Sequence, residues 1–309
     1  MLRAFFVRLS ENPSLRHFAE RSSVGRRLSS RFVAGTEIAD AVRATQAINR
    51  SGMSVSIDNL GENVTNPDQA RHSSELYHQI LDAISVNHLN ANISLKLTHM
   101  GLDVDEKLAR EIVTGLVAKA ASMDQPPGFV RVDMEGSPYT QRTLDFVHEL
   151  HGMPGNSNSV GTVIQSYLKR SESDVERLLA QRIRIRLCKG AYKESAEIAF
   201  PAKSDVDANY VKLMKILMKS GIYHGLATHD ESIIRQAQAF ATREKLSRDS
   251  FEFQMLYGIR RDLQQKLVRD GWRVRVYIPF GSEWYPYFMR RLGERPANVL
   301  FIARNLLRS

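Results

Sequence analysis

Charged residues recur at every second position inside several short apolar runs of this chain. Arg131 and Asp133 flank Val132, Arg184 and Arg186 flank Ile185, Arg273 and Arg275 flank Val274, Glu252 sits between Phe251 and Phe253, and Lys96 follows Leu95. In an extended strand, alternate side chains face opposite ways, so each run would present one apolar and one charged face. Charge taken out of water must be paired, solvated or liganded. In these runs Lys96, Arg131, Arg184, Arg186, Arg273 and Arg275 stand against the carboxylates of Asp58, Asp133 and Glu252. That excess of cations favours an anionic ligand, and an ion-pair network with no further purpose is the plainer alternative.

The elements that would carry these residues repeat in one order. Short β-rich runs centre on residues 55–57, 93–97, 130–133, 162–165, 183–187, 226–228, 251–254 and 274–277. Helical stretches lie between them, at 66–87, 105–123, 140–151, 173–181, 205–220, 230–245, 259–270 and 283–308. Strands alternating with helices indicate a parallel sheet. Eight such units predict a (βα)₈ TIM-like barrel over 51–309, and an open doubly wound sheet is the other arrangement. Residues 1–50 form a separate N-terminal helical segment in this reading, and the last helix is expected over the active site. A length of 309 residues suits one barrel domain.

In such a barrel the outward faces are Ile93, Leu95 and Leu97, then Ile183, Ile185 and Leu187, then Val274, Val276 and Ile278. Barrel active sites form where strands end. Those positions hold Glu62, Lys96, Asp133, Gln165, Arg186, Lys189, Thr228, His229, Leu256 and Tyr277, and the final helix adds Tyr287, Arg290, Arg291 and Glu294. Taken together they describe an anion-binding pocket with few nucleophiles. The usual parts of other chemistries are missing. No glycine-rich dinucleotide fingerprint, P-loop or Cys-x-x-Cys motif occurs, and His148-Glu149-Leu150-His151 has the wrong spacing for a zinc helix, so no metal is expected. Lys96, on an inner strand face, could instead form a Schiff base in an aldolase-type barrel.

Several segments resemble the proline dehydrogenase family, in order from Leu60-Gly61-Glu62 to Asn298. They are Val132-Asp133-Met134-Glu135, Arg186-Leu187-Cys188-Lys189-Gly190-Ala191-Tyr192, Phe251 to Gly258, and Arg290-Arg291-Leu292-Gly293-Glu294. The lysine-glycine-alanine-tyrosine block and the arginine pair are the most specific. The short chain is similar to the monofunctional bacterial form. The resemblance implies FAD held non-covalently and oxidation of L-proline to Δ1-pyrroline-5-carboxylate, by hydride transfer to flavin N5. Electrons would then pass to a membrane quinone, as the first step of proline catabolism.

By matching position, FAD would meet Met134, Gln165, Arg186, Lys189, Gly190, Ala191, Thr228 and His229. The substrate would meet Lys96, Arg290, Arg291, Tyr277, Tyr287, Leu256 and Tyr192. The resemblance makes Arg290 and Arg291 the carboxylate clamp, with Asp133 orienting an arginine of that clamp, and assigns Arg186 beside the flavin. Glu62 would act as a gate by pairing with Arg290. Tyr277 favours proline over its hydroxylated relative.

The formal charge of +9 suits anionic partners, a phosphate-bearing cofactor or an anionic membrane surface among them. A nucleic-acid binder would also be basic, but no recognised motif accompanies the charge. The lone Cys188 allows no internal disulfide and points to a reducing compartment. No apolar run is long enough to span a bilayer. The expected location is the cytoplasm, with peripheral contact at the inner membrane. The arginine- and serine-rich start, Met1 to Phe32, makes the mitochondrial matrix the alternative.

Overall fold

Eight parallel strands close on themselves, each pairing with the next in sequence and the last with the first. The computed structural model describes residues 29–61 and 64–294, together with Ser22 and Gly25, and side chains as far as Met289. The strands are β1 (Ser54–Asn59), β2 (Ala91–Leu95), β3 (Val130–Val132), β4 (Val160–Gln165), β5 (Arg184–Cys188), β6 (His224–Ala227), β7 (Phe251–Leu256) and β8 (Val274–Phe280). Closure is made by β1 on β8, in a register that sets Val55 beside Val276 and Ile57 beside Ile278. All eight predicted runs are strands, and the predicted (βα)₈ barrel is the fold.

Helices α1 (Ile38–Arg50), α2 (Pro67–Val86), α3 (Glu106–Ala121), α4 (Ser137–Gly152), α5 (Ser171–Ala180), α6 (Lys203–Lys219), α7 (Glu231–Arg243), α8 (Arg261–Arg269) and α9 (Trp284–Glu294) surround the sheet. Their starts follow from capping residues. The side chain of Asn66 accepts from the amide of Gln69 ahead of Pro67, Asp105 accepts from Lys107 and Leu108, and Asp230 accepts from Ser232. Helix α1, which the sequence pattern did not single out, opens with a capping box between Glu37 and Asp40 and lies against β1 and β8. The N-terminal helical stretches expected before residue 29, apart from Ser22 and Gly25, and the end of the last predicted helix fall outside the described residues; of the stretch expected over 24–32, Ser30 to Phe32 form a turn instead.

The core lies between strands and helices. Ile93, Leu95, Leu97, Ile183, Ile185, Leu187, Val274, Val276 and Ile278 are at most 1% exposed and pack with Tyr77, Leu81, Leu116, Phe146, Tyr210 and Leu213 from the helices. Each such side chain contributes roughly 1.5–3 kcal/mol by leaving water. The interior of the barrel is polar instead. Arg273 departs from the expected pattern. It precedes β8, is exposed, and pairs with Asp249 at 3.5 Å outside the sheet.

Candidate active site

Arg186 projects from β5 into the centre of the barrel and is 6% exposed. Its Nε donates to Gln254 Oε1 at 2.5 Å, and its Nη1 donates to Asp133 Oδ1 at 2.7 Å and Ser94 Oγ at 3.1 Å. Nη2 donates to Ser56 Oγ at 3.2 Å, and the guanidinium lies 5.2 Å from the ring centre of Tyr277. Asp133, just past β3, also accepts from Ser94 Oγ at 2.7 Å and from the Tyr277 hydroxyl at 3.0 Å. Five strands therefore fix one buried ion pair. Removing either partner would strand the other charge, a penalty of about 3–5 kcal/mol.

A second pair sits beside it. Lys96 Nζ lies 3.5 Å from Asp58 Oδ2. Tyr77 reaches in from α2, donating to Asp58 Oδ1 at 3.2 Å and to the Ser94 carbonyl at 2.9 Å. Burial pushes the Asp58 carboxyl above the usual carboxylate range, while Lys96 pulls the other way and Asp133 adds to the rise. Desolvation pushes the thiol of Cys188, at the end of β5, up to about 12, so it stays protonated near neutral pH. That leaves the cluster suited to holding anions and orienting a substrate, without a ready nucleophile.

The rim is built by the loops after β5 and β6. Lys189 Nζ lies 2.5 Å from Asp207 Oδ1 and 3.0 Å from Asp230 Oδ2. Gly190 has φ +107°, and a Cβ there would meet the Tyr167 ring at 2.2 Å, so the chain must pass bare at this point. Beyond it Ala191 and Tyr192 are exposed, and Glu194 ties the loop to α4 by accepting from Ser137 N at 2.8 Å and Ser137 Oγ at 2.6 Å. Gln165 donates to the Glu135 carbonyl at 2.9 Å, next to buried Met134. Thr228 N donates to the Gln254 carbonyl at 3.1 Å, and His229 Nε2 accepts from Leu256 N at 2.9 Å.

Helix α9 roofs one side. Trp284, Tyr285, Tyr287, Phe288 and Met289 pack with Phe32, Val33, Leu60 and Ile259, and Leu256 rests against this cluster. Leu256 and Tyr287 thus belong to one apolar patch. Positions 290 and 291 continue the same helix, but the side chains of Arg290, Arg291 and Glu294, and all of Glu62, lie outside the described residues. Asp133 is bound to Arg186, and its expected partner in the terminal arginine pair lies outside the described side chains. Ser56, Ser94, Gln254 and Tyr77 were missed. The first three share strand parity with Asp58, Lys96 and Glu252, so the alternation that exposed the charges marked them too. Among the described residues, no group of His, Cys, Asp and Glu could hold a metal ion, and no helix is long and apolar enough to cross a membrane.

A family profile described as proline dehydrogenase matches residues 41–304, which includes every strand. The chain belongs to the proline dehydrogenase family. Proline dehydrogenase 1 of Bacillus subtilis (strain 168) is 40% identical over 309 residues, covering 100% of both chains. Proline dehydrogenase of Deinococcus radiodurans is 38% identical, covering 100% of this chain and 98% of its own. A crystal structure of proline utilization A from Bdellovibrio bacteriovorus superimposes with a TM-score of 0.80. It is 24% identical, and the match covers 87% of this chain and 32% of that longer one. Full-length similarity to short relatives makes this a proline dehydrogenase of the monofunctional bacterial kind, an oxidoreductase of proline catabolism. The Schiff-base aldolase alternative falls with that assignment, and Lys96 is ion-paired with Asp58.

Proposed function

We propose that this mouth holds FAD and L-proline side by side and releases Δ1-pyrroline-5-carboxylate. The observation that carries the reading is the fixed Arg186, clamped by Asp133 and Gln254 under Tyr277 at the centre of the barrel. The rim suits a phosphate-bearing group. Lys189 has three N–H donors and two carboxylate neighbours, which leaves one for a phosphate oxygen. When bound, FAD would supply the hydride acceptor at N5, with a membrane quinone as the proposed final electron acceptor.

The chain's own residues bind and orient. Arg186 presents positive charge without reorganisation, the arrangement that best stabilises developing negative charge. Lys96 draws the substrate carboxylate inward, and Arg290 and Arg291 complete a planar clamp on it from α9. Tyr277, Leu256, Tyr287 and Tyr192 wall the apolar ring. Met134, Gln165, Ala191, Thr228 and His229 line the cofactor side, and Glu62 pairs with Arg290 to close the site. The basic surface favours peripheral docking on anionic lipid from the cytoplasmic side.

A visible spectrum of the purified protein tests this. A flavin band that bleaches on adding L-proline is expected. A colourless protein that neither binds added FAD nor oxidises proline would sink the reading. Arg291→Met should raise KM for proline at least tenfold while flavin content holds. Equal loss of both would count against the clamp.

A further inference from the structure

A second cavity, of about 630 Å³, opens at the other end of the barrel, where the strands begin. Its wall carries Arg182, Arg184, Arg273 and Arg275 and includes no aspartate or glutamate. Arg184 forms the floor. Its guanidinium lies over the ring of Phe129, at 4.4 Å, and over that of Tyr223, at 5.1 Å. With aromatic rings against it, the guanidinium has its N–H groups left to bond a polar ligand. The buried Nε of Arg184 has no hydrogen-bond partner among the described residues, and a buried donor left unsatisfied costs about 1–3 kcal/mol. Arg275 is already matched to Glu252 at 2.6 Å, and Arg273 to Asp249 at 3.5 Å. Arg182 is exposed at the rim, held there by a left-handed backbone at φ 60°.

From this geometry we infer that the basin binds a compact polyanion carrying carboxylate or phosphate groups. One group takes the fork of Arg184 edge-on, the geometry in which a guanidinium grips two oxygens at once. A second group is neutralised at the rim by Arg182 and Arg273. The volume falls within the range of small-molecule pockets. The inference does not rest on the reading of the mouth, which lies at the opposite ends of the same strands.

The full-length protein, as purified, is titrated calorimetrically with citrate and with pyrophosphate, each against sodium chloride of equal ionic strength. The expected result is one-site binding, at least tenfold weaker in Arg184→Gln and in the doubly substituted R182E/R273E, and unchanged in Lys189→Ala at the mouth. Citrate binding more tightly would name a carboxylate ligand, and pyrophosphate a phosphate ligand. Since both rim arginines are exposed, R182E/R273E carries the test even if R184Q fails to fold. Heats no larger than those with chloride would overturn the proposal. So would binding equally strong in R182E/R273E, or binding lost in Lys189→Ala but kept at the rim variant.

Discussion

Arg186 donates to Gln254, Asp133, Ser94 and Ser56 at once, so its plane is set before any ligand arrives. Gln254 makes that possible. Its carbonyl faces Arg186, while its amide nitrogen donates to Glu252 Oε1 at 2.6 Å, and Arg275 Nε donates to the same oxygen at 2.6 Å. Charges at inward strand positions announced themselves in the sequence because burying them demands a reason. Uncharged Ser56, Ser94 and Gln254 gave no such alarm, and Tyr77 enters from a helix that no strand pattern describes. His224 shows what this interior does to titration. Burial, with Arg131 and Arg184 nearby, lowers its pKa from 6.5 to about 3, and its Nδ1 accepts from Ile185 N at 2.9 Å. Below pH 6.5 the unfolded chain takes up a proton that the folded one refuses, so stability falls as pH drops toward 3. The slope from this group approaches about 1.4 kcal/mol per pH unit. Urea unfolding at pH 7 and pH 5 should therefore show a stability loss about 1–2 kcal/mol larger in the wild type than in His224→Gln. Identical losses would remove His224 from the account.

At the scale of elements, the helix ends follow one pattern. After α2, α5 and α7 the chain turns through His88, Arg182 and Lys245, all at positive φ. The next amide donates back into the helix, as Leu89 N to Ile84 O, Ile183 N to Leu178 O and Leu246 N to Ala241 O, at 2.9, 3.0 and 2.9 Å. This is the left-handed stop that glycine usually provides, and Gly52 serves that way after α1. It also explains a boundary that sequence reading placed one residue early. Ile183 is apolar and β-branched, yet it closes α5, and β5 starts at Arg184. Lys245 is exposed, so Lys245→Gly should relieve the backbone at no cost in packing and stabilise the protein by about 0.5–1 kcal/mol, less than the left-handed penalty because glycine also loosens the unfolded chain. Chemical denaturation would read this as a higher midpoint at unchanged slope, and a lower midpoint would refute it.

On the scale of the whole molecule, alternating strands and helices made the barrel readable, because period and order alone specify it. The strap before α1 was not readable, since it has neither period nor charge pattern. It is nevertheless what joins the described ends. Ala34 N donates to the Pro279 carbonyl at 2.9 Å, Gly281 N donates to the Gly35 carbonyl at 3.0 Å, and the rings of Phe32 and Phe288 lie 6.1 Å apart. The first and last described segments are thus joined into one unit laid over strands that are already closed. Such a unit can open while the barrel stays shut. In Phe32→Ala, the amide protons of Ala34, Gly281 and the first turns of α9 should exchange with deuterium together and faster, with Val276 and Ile278 still protected. Exchange at all of these sites rising in step would mean that the belt and the drum it encircles come apart as one.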